Sequence, residues 1–123
     1  MRKTIRLLIA LALVLVSFGA GTLYQWLLLH NQHPVEVKII NSTGQQVPHL
    51  VLTFNSQIKG LLEMPVLKSG ESIKAKFYPI SEGSFVLEAK MADGRTLTHS
   101  EGYVEAGYSF NLTITPTGII RQH

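Results

Sequence analysis

Two sets of residues in this chain of 123 residues have types and spacings that could do chemistry. The first set is a serine–lysine pair, because Ser56 and Lys59 have the S-x-x-K spacing in which a lysine can activate a serine nucleophile. The pair lies in a predicted turn and lacks the helix and accessory motifs that such enzymes need. We therefore interpret it as a surface turn, and we expect no catalytic residue and no enzyme activity.

The second set consists of histidines and methionines, which are ligand types that copper accepts. The weak candidates are His49, His99, Met64 and Met91. No closely spaced histidine pair within the predicted strands specifies a site, and the chain has no cysteine, which excludes thiolate ligands and disulfides. We expect no bound metal and no cofactor, while a copper-handling role stays open as an alternative.

The segment 102–108 is a third candidate, for binding instead of catalysis, because two Gly-Tyr dipeptides bracket a short turn there. Tyrosine is favoured at protein interfaces, so Tyr103 and the neighbouring Glu105 are the candidate interaction residues. We expect Tyr108 to begin the inward face of the last strand, and Tyr103 to be the exposed member of the pair.

Charge and hydropathy divide the chain into two parts. Three basic residues, Arg2, Lys3 and Arg6, precede or begin an apolar stretch that has no further charged residue until Glu36. The remaining eight basic residues are balanced by eight acidic ones, so the second part is formally neutral. A nucleic-acid-binding domain would cluster basic residues on its surface, so we expect no nucleic-acid partner.

The apolar stretch predicts a membrane-spanning helix over residues 5–29. These 25 residues would extend for about 38 Å as a helix, whereas a bilayer core requires roughly 20 residues and a cleavable signal has an apolar core of only roughly 7–15. The small residues 19–21 suit a signal peptidase, which would release a secreted β-domain. Tyr24 and Trp26 suit an outer interface and favour an uncut signal-anchor.

From residue 35 onward, apolar and polar residues alternate in short runs separated by turn residues about every ten positions. This pattern predicts an all-β fold of about seven strands, a small antiparallel β-sandwich of immunoglobulin-like size, with a small β-barrel as the alternative. Asp93 and Gly94 predict a hairpin with a type I′ turn. The predicted core residues are Phe77, Phe85, Leu87, Phe110 and Leu112.

The sequence therefore predicts an anchor over 1–29, a linker over 30–34 and an extracytoplasmic domain over 35–121. The basic N-terminus favours the cytoplasm, which would place the domain in the periplasm at a bacterial inner membrane. Residues 30–33 reach at most ~14 Å when extended, so the domain would stay close to the membrane. We expect a non-enzymatic interaction or accessory module of an envelope or membrane complex, with a membrane or envelope protein as its partner.

One alternative function comes from the arrangement of the chain as a whole. An N-terminal span followed by an external β-sandwich is similar to the arrangement of some assembly factors of bacterial cytochrome oxidases, which handle copper. This similarity concerns fold alone, and fold does not imply function. It nevertheless keeps a copper-handling assembly factor for a respiratory oxidase as an alternative.

The first prediction is that the chain is not cut at residues 19–21, because the apolar stretch continues beyond them. The protein should then have its full mass of 13.6 kDa and should leave the membrane fraction only on addition of detergent. Mass spectrometry and membrane fractionation test this prediction. A soluble product beginning near Thr22 would contradict it and favour the secreted domain.

Overall fold

The computed structural model describes residues 2–30 and 32–123, and the chain divides into two compact units, Met1–Gln32 and His33–His123. The first unit contains one helix, α1 (Arg2–His30). It begins earlier and ends one residue later than the predicted span over 5–29. Met1 and Asn31, which belong to the predicted anchor and linker, lie outside the described residues.

The helix has the length and composition of a membrane span. Within Lys3–Leu28, an 18-residue window has a mean hydropathy of 2.2, and the side chains of the stretch are exposed. Two hydroxyl groups in the apolar stretch donate hydrogen bonds to the helix backbone. Ser17 Oγ donates to the Leu13 carbonyl at 2.8 Å, and Thr22 Oγ1 donates to the Gly19 carbonyl at 3.0 Å. A signal sequence near an N-terminus can also form an apolar helix of this kind, so these properties are compatible with both an anchor and a cleaved leader.

The second unit is a β-sandwich of eight strands in two four-stranded sheets. The predicted all-β sandwich behind one N-terminal helix is confirmed. The strands are β1 (Val35–Asn41), β2 (His49–Asn55), β3 (Lys59–Met64), β4 (Ser72–Phe77), β5 (Gly83–Lys90), β6 (Thr96–Val104), β7 (Ser109–Ile114) and β8 (Ile119–Gln122). The strand orders in the two sheets are β4-β1-β7-β8 and β3-β2-β5-β6.

Two details of the sandwich differ from the prediction. The short strand β8 was not predicted, because its four residues are too few to show an alternating pattern. The neighbours β1 and β7 run parallel, whereas all other pairs are antiparallel. Strand direction within a pair depends on distant parts of the chain, and local periodicity carries no information about it.

The core lies between the two sheets and follows the alternation of the sequence. On β1, Val35, Val37 and Ile39 are fully buried, while Glu36 and Lys38 lie on the outer face. Each of the five predicted core residues is at most 4% exposed, so the strand phases are confirmed at Phe77, Phe85, Leu87, Phe110 and Leu112.

Four phenylalanines form a continuous aromatic row across the core. Phe54 stacks on Phe77 with a centroid distance of 4.7 Å, Phe77 meets the edge of Phe85 at 6.1 Å, and Phe85 meets Phe110 at 5.2 Å. Successive members belong to opposite sheets, because β2 and β5 lie in one sheet and β4 and β7 in the other. The row therefore joins the sheets by side-chain contact, in geometries that aromatic rings prefer.

The strand directions place three connections at the end of the sandwich where β1 begins. These connections are the β2–β3 turn (56–58), the β4–β5 loop (78–82) and the β6–β7 turn (105–108). The stack of Phe54 on Phe77 joins the ends of β2 and β4 at this position. We call this end of the sandwich the entry end, because the chain enters the sandwich here at His33.

The opposite end is organised around a buried polar residue, Asn41. Its side-chain amide donates to the carbonyls of Gln45 at 2.7 Å and Leu67 at 3.0 Å, and its oxygen accepts from Thr43 Oγ1 at 2.7 Å. A fully buried amide needs such partners, because an unsatisfied one would carry a desolvation penalty. Asn41 thereby fixes both the β1–β2 and the β3–β4 connections.

The hairpin between β5 and β6 forms where it was predicted, but the predicted turn type is wrong. A type I′ turn requires positive φ at both central residues, and among the described residues only glycines have positive φ. Gly94 has a φ of 88°, and its N–H donates to the Met91 carbonyl at 3.0 Å. This geometry is a three-residue loop, in which Asp93 keeps an ordinary φ and Gly94 alone adopts the left-handed region.

The second prediction concerns Gly83 at the start of β5. A Cβ at this position would lie 2.6 Å from the Asn55 carbonyl oxygen, so Gly83→Ala must displace backbone at the entry end. We expect urea denaturation of residues 33–123 to show a loss of about 1–3 kcal/mol in the free energy of unfolding, as in overpacked cores.

Gly102→Ala provides the matched control for this prediction. A Cβ on Gly102 would have no atom within 4 Å, and Gly102 has no positive φ. We expect this substitution to be neutral or to stabilise the fold by up to about 1 kcal/mol. Equal stability of the two variants would show that the close approach of Gly83 to Asn55 does not constrain the fold.

Candidate interaction surface

The predicted tyrosine segment forms an exposed aromatic pair at the entry end. The rings of Tyr103, at the end of β6, and Tyr108, just before β7, meet edge to face with centroids 6.3 Å apart. Tyr103 is 50% exposed, as predicted. The expectation for Tyr108 is wrong, since its side chain is 39% exposed: its N–H closes the β6–β7 turn on the Glu105 carbonyl, so the residue lies before the strand and beyond the covered core.

A hydrogen bond orders the tyrosine pair. The Tyr103 hydroxyl donates to the Glu105 carboxylate, so the two predicted interaction residues are in direct contact. Below the pair, the Tyr108 ring lies 6.2 Å from Phe110, the last member of the aromatic row. The exposed rings are therefore continuous with the packed core, and the surface should lose little side-chain freedom on binding a partner.

The same hydrogen bond perturbs the titration of Tyr103. It stabilises the protonated phenol and, with a smaller contribution from desolvation and from the charges of Glu105 and Glu82, raises the pKa of Tyr103 to about 12. We call Tyr103, Glu105 and Tyr108 the tyrosine surface.

A polar cluster closes the open edge of the sandwich next to this surface. Glu101 on β6 contacts His99 Nε2 at 2.9 Å and accepts a hydrogen bond from Arg121 Nη1 on β8 at 3.2 Å. The Arg121 guanidinium also lies 4.8 Å from the centre of the Phe110 ring, a cation–π geometry. Because β6 and β8 belong to different sheets, the cluster ties the sheets together at their rim.

Only two of the four candidate metal ligands, His49 and Met64, lie near each other in the sandwich. His49 is exposed at the start of β2, next to the half-buried Met64 on β3, while Met91 is buried in the core and His99 contacts Glu101. In the part of the chain that the structure describes, no group of three or more His, Asp or Glu residues could hold a metal ion.

The serine of the S-x-x-K motif lies between β2 and β3. The Ser56 hydroxyl donates to the Ile58 carbonyl at 3.2 Å, and Lys59 begins β3. The motif is thus part of a turn in which the serine hydroxyl contacts the backbone.

Sequence reasoning missed a group of lysines on the outer face of one sheet. Lys76 and Lys74 on β4 contact the Glu36 carboxylate at 2.9 and 3.4 Å, and Lys38 lies opposite Lys74 in register. The Lys76 hydrogen bond holds the pKa of Glu36 below its ordinary value. Only the pairing of β1 with β4 brings Glu36 and Lys38 to Lys74 and Lys76, because the two strands are far apart in the sequence.

Comparison with solved structures shows a protein whose fold is similar to that of this chain. The chain is similar to the NMR structure of a protein from Eubacterium rectale, with a TM-score of 0.53 and 15% identity over 73% of this chain and 87% of that one. Pneumolysin matches with a TM-score of 0.46 and 8% identity over 74% of this chain, which spans 24% of pneumolysin. No family model matches the chain, and no curated protein matches it.

The fold thus defines a class of protein, a small β-sandwich that follows one apolar helix in the chain. A likeness at this level of identity concerns the fold alone. Any statement about activity must therefore come from the chain's own residues.

The third prediction is that tyrosine absorbance of residues 33–123 shows one phenol that ionises near pH 12. Because the raised pKa belongs to the folded state, Tyr103 favours folding below its ordinary value of 10.0 and loses that contribution as pH rises through about 12.

Tyr103→Phe should abolish this late phase, and Glu105→Gln should move it to lower pH, because the amide removes the nearby negative charge. Tyr108→Phe is the control and should retain the late phase. Circular dichroism at each pH verifies that the sandwich is still folded. A late phase that survives in Tyr103→Phe would refute the assignment.

Proposed function

We propose that this protein is a non-enzymatic interaction module, held at a membrane by α1, that binds a membrane or envelope protein through the tyrosine surface. The observation that carries the proposal is the exposed, ordered pair of Tyr103 and Tyr108, fixed by Glu105 and supported from below by Phe110. Rigid tyrosines provide a large contact area at a low cost in conformational entropy, which is the chemistry that binding surfaces favour.

The chemistry of the surface indicates the kind of partner. Two aromatic rings offer apolar contact, and the Glu105 carboxylate adds a negative charge at the rim. A complementary site would present an apolar groove with a basic or hydrogen-bond-donating residue beside it. A partner in the same membrane would meet this surface at a high effective concentration, so modest affinity would suffice.

The proposed location follows from α1 and from its basic residues. Lys3 and Arg6 at the start of the helix favour a cytoplasmic N-terminus, and the sandwich would then lie on the opposite side, in the periplasm if the source is bacterial. The proposed role is that of an accessory protein in an envelope or membrane complex.

The fourth prediction is that the full chain, extracted in mild detergent, co-purifies with a membrane protein. Replacing both Tyr103 and Tyr108 by Ser should abolish retention of that protein, because the apolar contact area is lost. Val66→Ser, which removes an exposed apolar side chain at the opposite end of the sandwich, is the control and should retain it.

Quantitative mass spectrometry of the eluates, together with circular dichroism of each variant, measures the outcome. Equal retention by the double variant and the control would overturn the assignment of the surface. Metal analysis of the same eluate separates the copper-handling alternative, which requires copper in a stoichiometric amount. An eluate with copper and without a partner protein would favour that alternative.

A further inference from the structure

A second exposed apolar group lies at the same entry end, beside the tyrosine surface. Ile58 in the β2–β3 turn is 59% exposed, and Tyr78 and Ile80 in the β4–β5 loop are 57% and 53% exposed. All three residues lie in the connections between strands, where a soluble domain would ordinarily carry polar residues. We call this group the apolar tip.

Contacts within the domain hold the two connections of the apolar tip together. The stack of Phe54 on Phe77 joins the strand ends that precede them. Gly83, which follows the loop, packs so tightly against Asn55 and Ser56 that a Cβ there would overlap the Asn55 carbonyl oxygen. The two connections that carry the apolar tip are therefore neighbours at the entry end, although they are distant in sequence.

The conformation of the β4–β5 loop directs its apolar residues outward. Pro79 is buried, while its two neighbours Tyr78 and Ile80 are exposed. The buried proline, whose φ is restricted by its ring, fixes the middle of the loop against the core. The exposed residues on both sides are thereby presented at the surface instead of folding back onto the sandwich.

We propose that the apolar tip inserts into the headgroup layer of the lipid bilayer that α1 crosses. The inference rests on the membrane anchoring in the proposed function. Only residues 31–34 connect α1 to β1, and four extended residues span at most ~14 Å. This maximum span depends only on the number of connecting residues. The apolar tip lies at the end of the sandwich where these connecting residues enter.

The residue types of the tip suit a lipid surface. Tyrosine is enriched at membrane interfaces because its ring is apolar and its hydroxyl remains hydrated, and isoleucine tolerates the acyl boundary. The charges beside the tip are of both signs, since Lys59 follows Ile58 and Glu82 follows Ile80 by two positions. Insertion should therefore depend on apolar contact and should need no anionic lipid.

The experiment uses the full chain, whose lack of cysteine allows one label at a time. Ile80→Cys and Ile58→Cys carry an environment-sensitive fluorophore, and the protein is reconstituted in phosphatidylcholine vesicles with nitroxide-labelled lipids. Val66→Cys labels an apolar side chain, 46% exposed, at the opposite end of the sandwich. Val14→Cys labels the middle of α1.

We expect blue-shifted emission and quenching by the lipid nitroxide for the labels at positions 58 and 80, and neither effect at position 66. The same result should hold in vesicles of equal parts phosphatidylcholine and phosphatidylglycerol. If the blue shift and quenching at positions 58 and 80 require phosphatidylglycerol, insertion by apolar contact is wrong. It is also wrong if the blue shift appears only in native membranes, which contain other proteins, and not in the vesicles.

The label at position 14 separates the failure of this inference from the failure of the proposed function. If position 14 is quenched by deep nitroxides while positions 58 and 80 behave like position 66, the helix spans the bilayer and only the lipid contact of the tip is wrong. If position 14 is not quenched, the anchor fails, and both proposals fail with it. Circular dichroism of each labelled protein verifies the fold.

Discussion

The sandwich depends on one interaction above the others, the aromatic row in which Phe54, Phe77, Phe85 and Phe110 alternate between the two sheets. The domain has no disulfide that could tie the sheets together, because the chain contains no cysteine. A domain of this size must then obtain its stability from apolar burial and from good packing geometry. Interdigitated rings provide both, because they bury a large area and meet in the edge and stacked arrangements that aromatic side chains prefer.

The two ends of the sandwich are stabilised by different physical means. The end away from the chain entry is ordered by Asn41, whose hydrogen bonds fix two connections from a fully buried position. At the entry end, the aromatic row and the close approach of Gly83 to Asn55 fix the connections by packing. Loops fixed by packing can expose apolar side chains without collapsing, and both candidate surfaces lie near that end.

Periodicity in the sequence was sufficient to predict the helix, the sandwich and the core-facing residues on β4, β5 and β7. The alternation on β7, for example, correctly buried Phe110 and Leu112, because one face of a strand must be covered in a two-sheet fold. It failed at Tyr108, which lies in a turn where the period of two no longer holds, and at β8, which is too short to show a period.

The candidate sites were predictable only where their residues are close in the chain. Tyr103 and Glu105 are two positions apart, so their contact could be inferred from sequence, and the structure joins them. Glu101 and Arg121 are 20 positions apart in the sequence, and Ile58 and Ile80 are 22 positions apart. Only the topology of the sandwich brings their strands and loops to a common edge or end. Such groups carry no local signal in a single sequence.

The packing of the core and the proposed binding have a common physical origin. Phe110 contacts Phe85 on its inner side and Tyr108 on its outer side, so the aromatic row continues from the buried core to the exposed tyrosine pair. A surface supported in this way is already ordered before a partner arrives, which lowers the entropic cost of association. If α1 also confines the domain to a membrane, the effective concentration of a partner in that membrane is high. For the proposed binding, a small surface of two tyrosines and one carboxylate would then have to supply less interaction energy, because ordering and encounter would cost little.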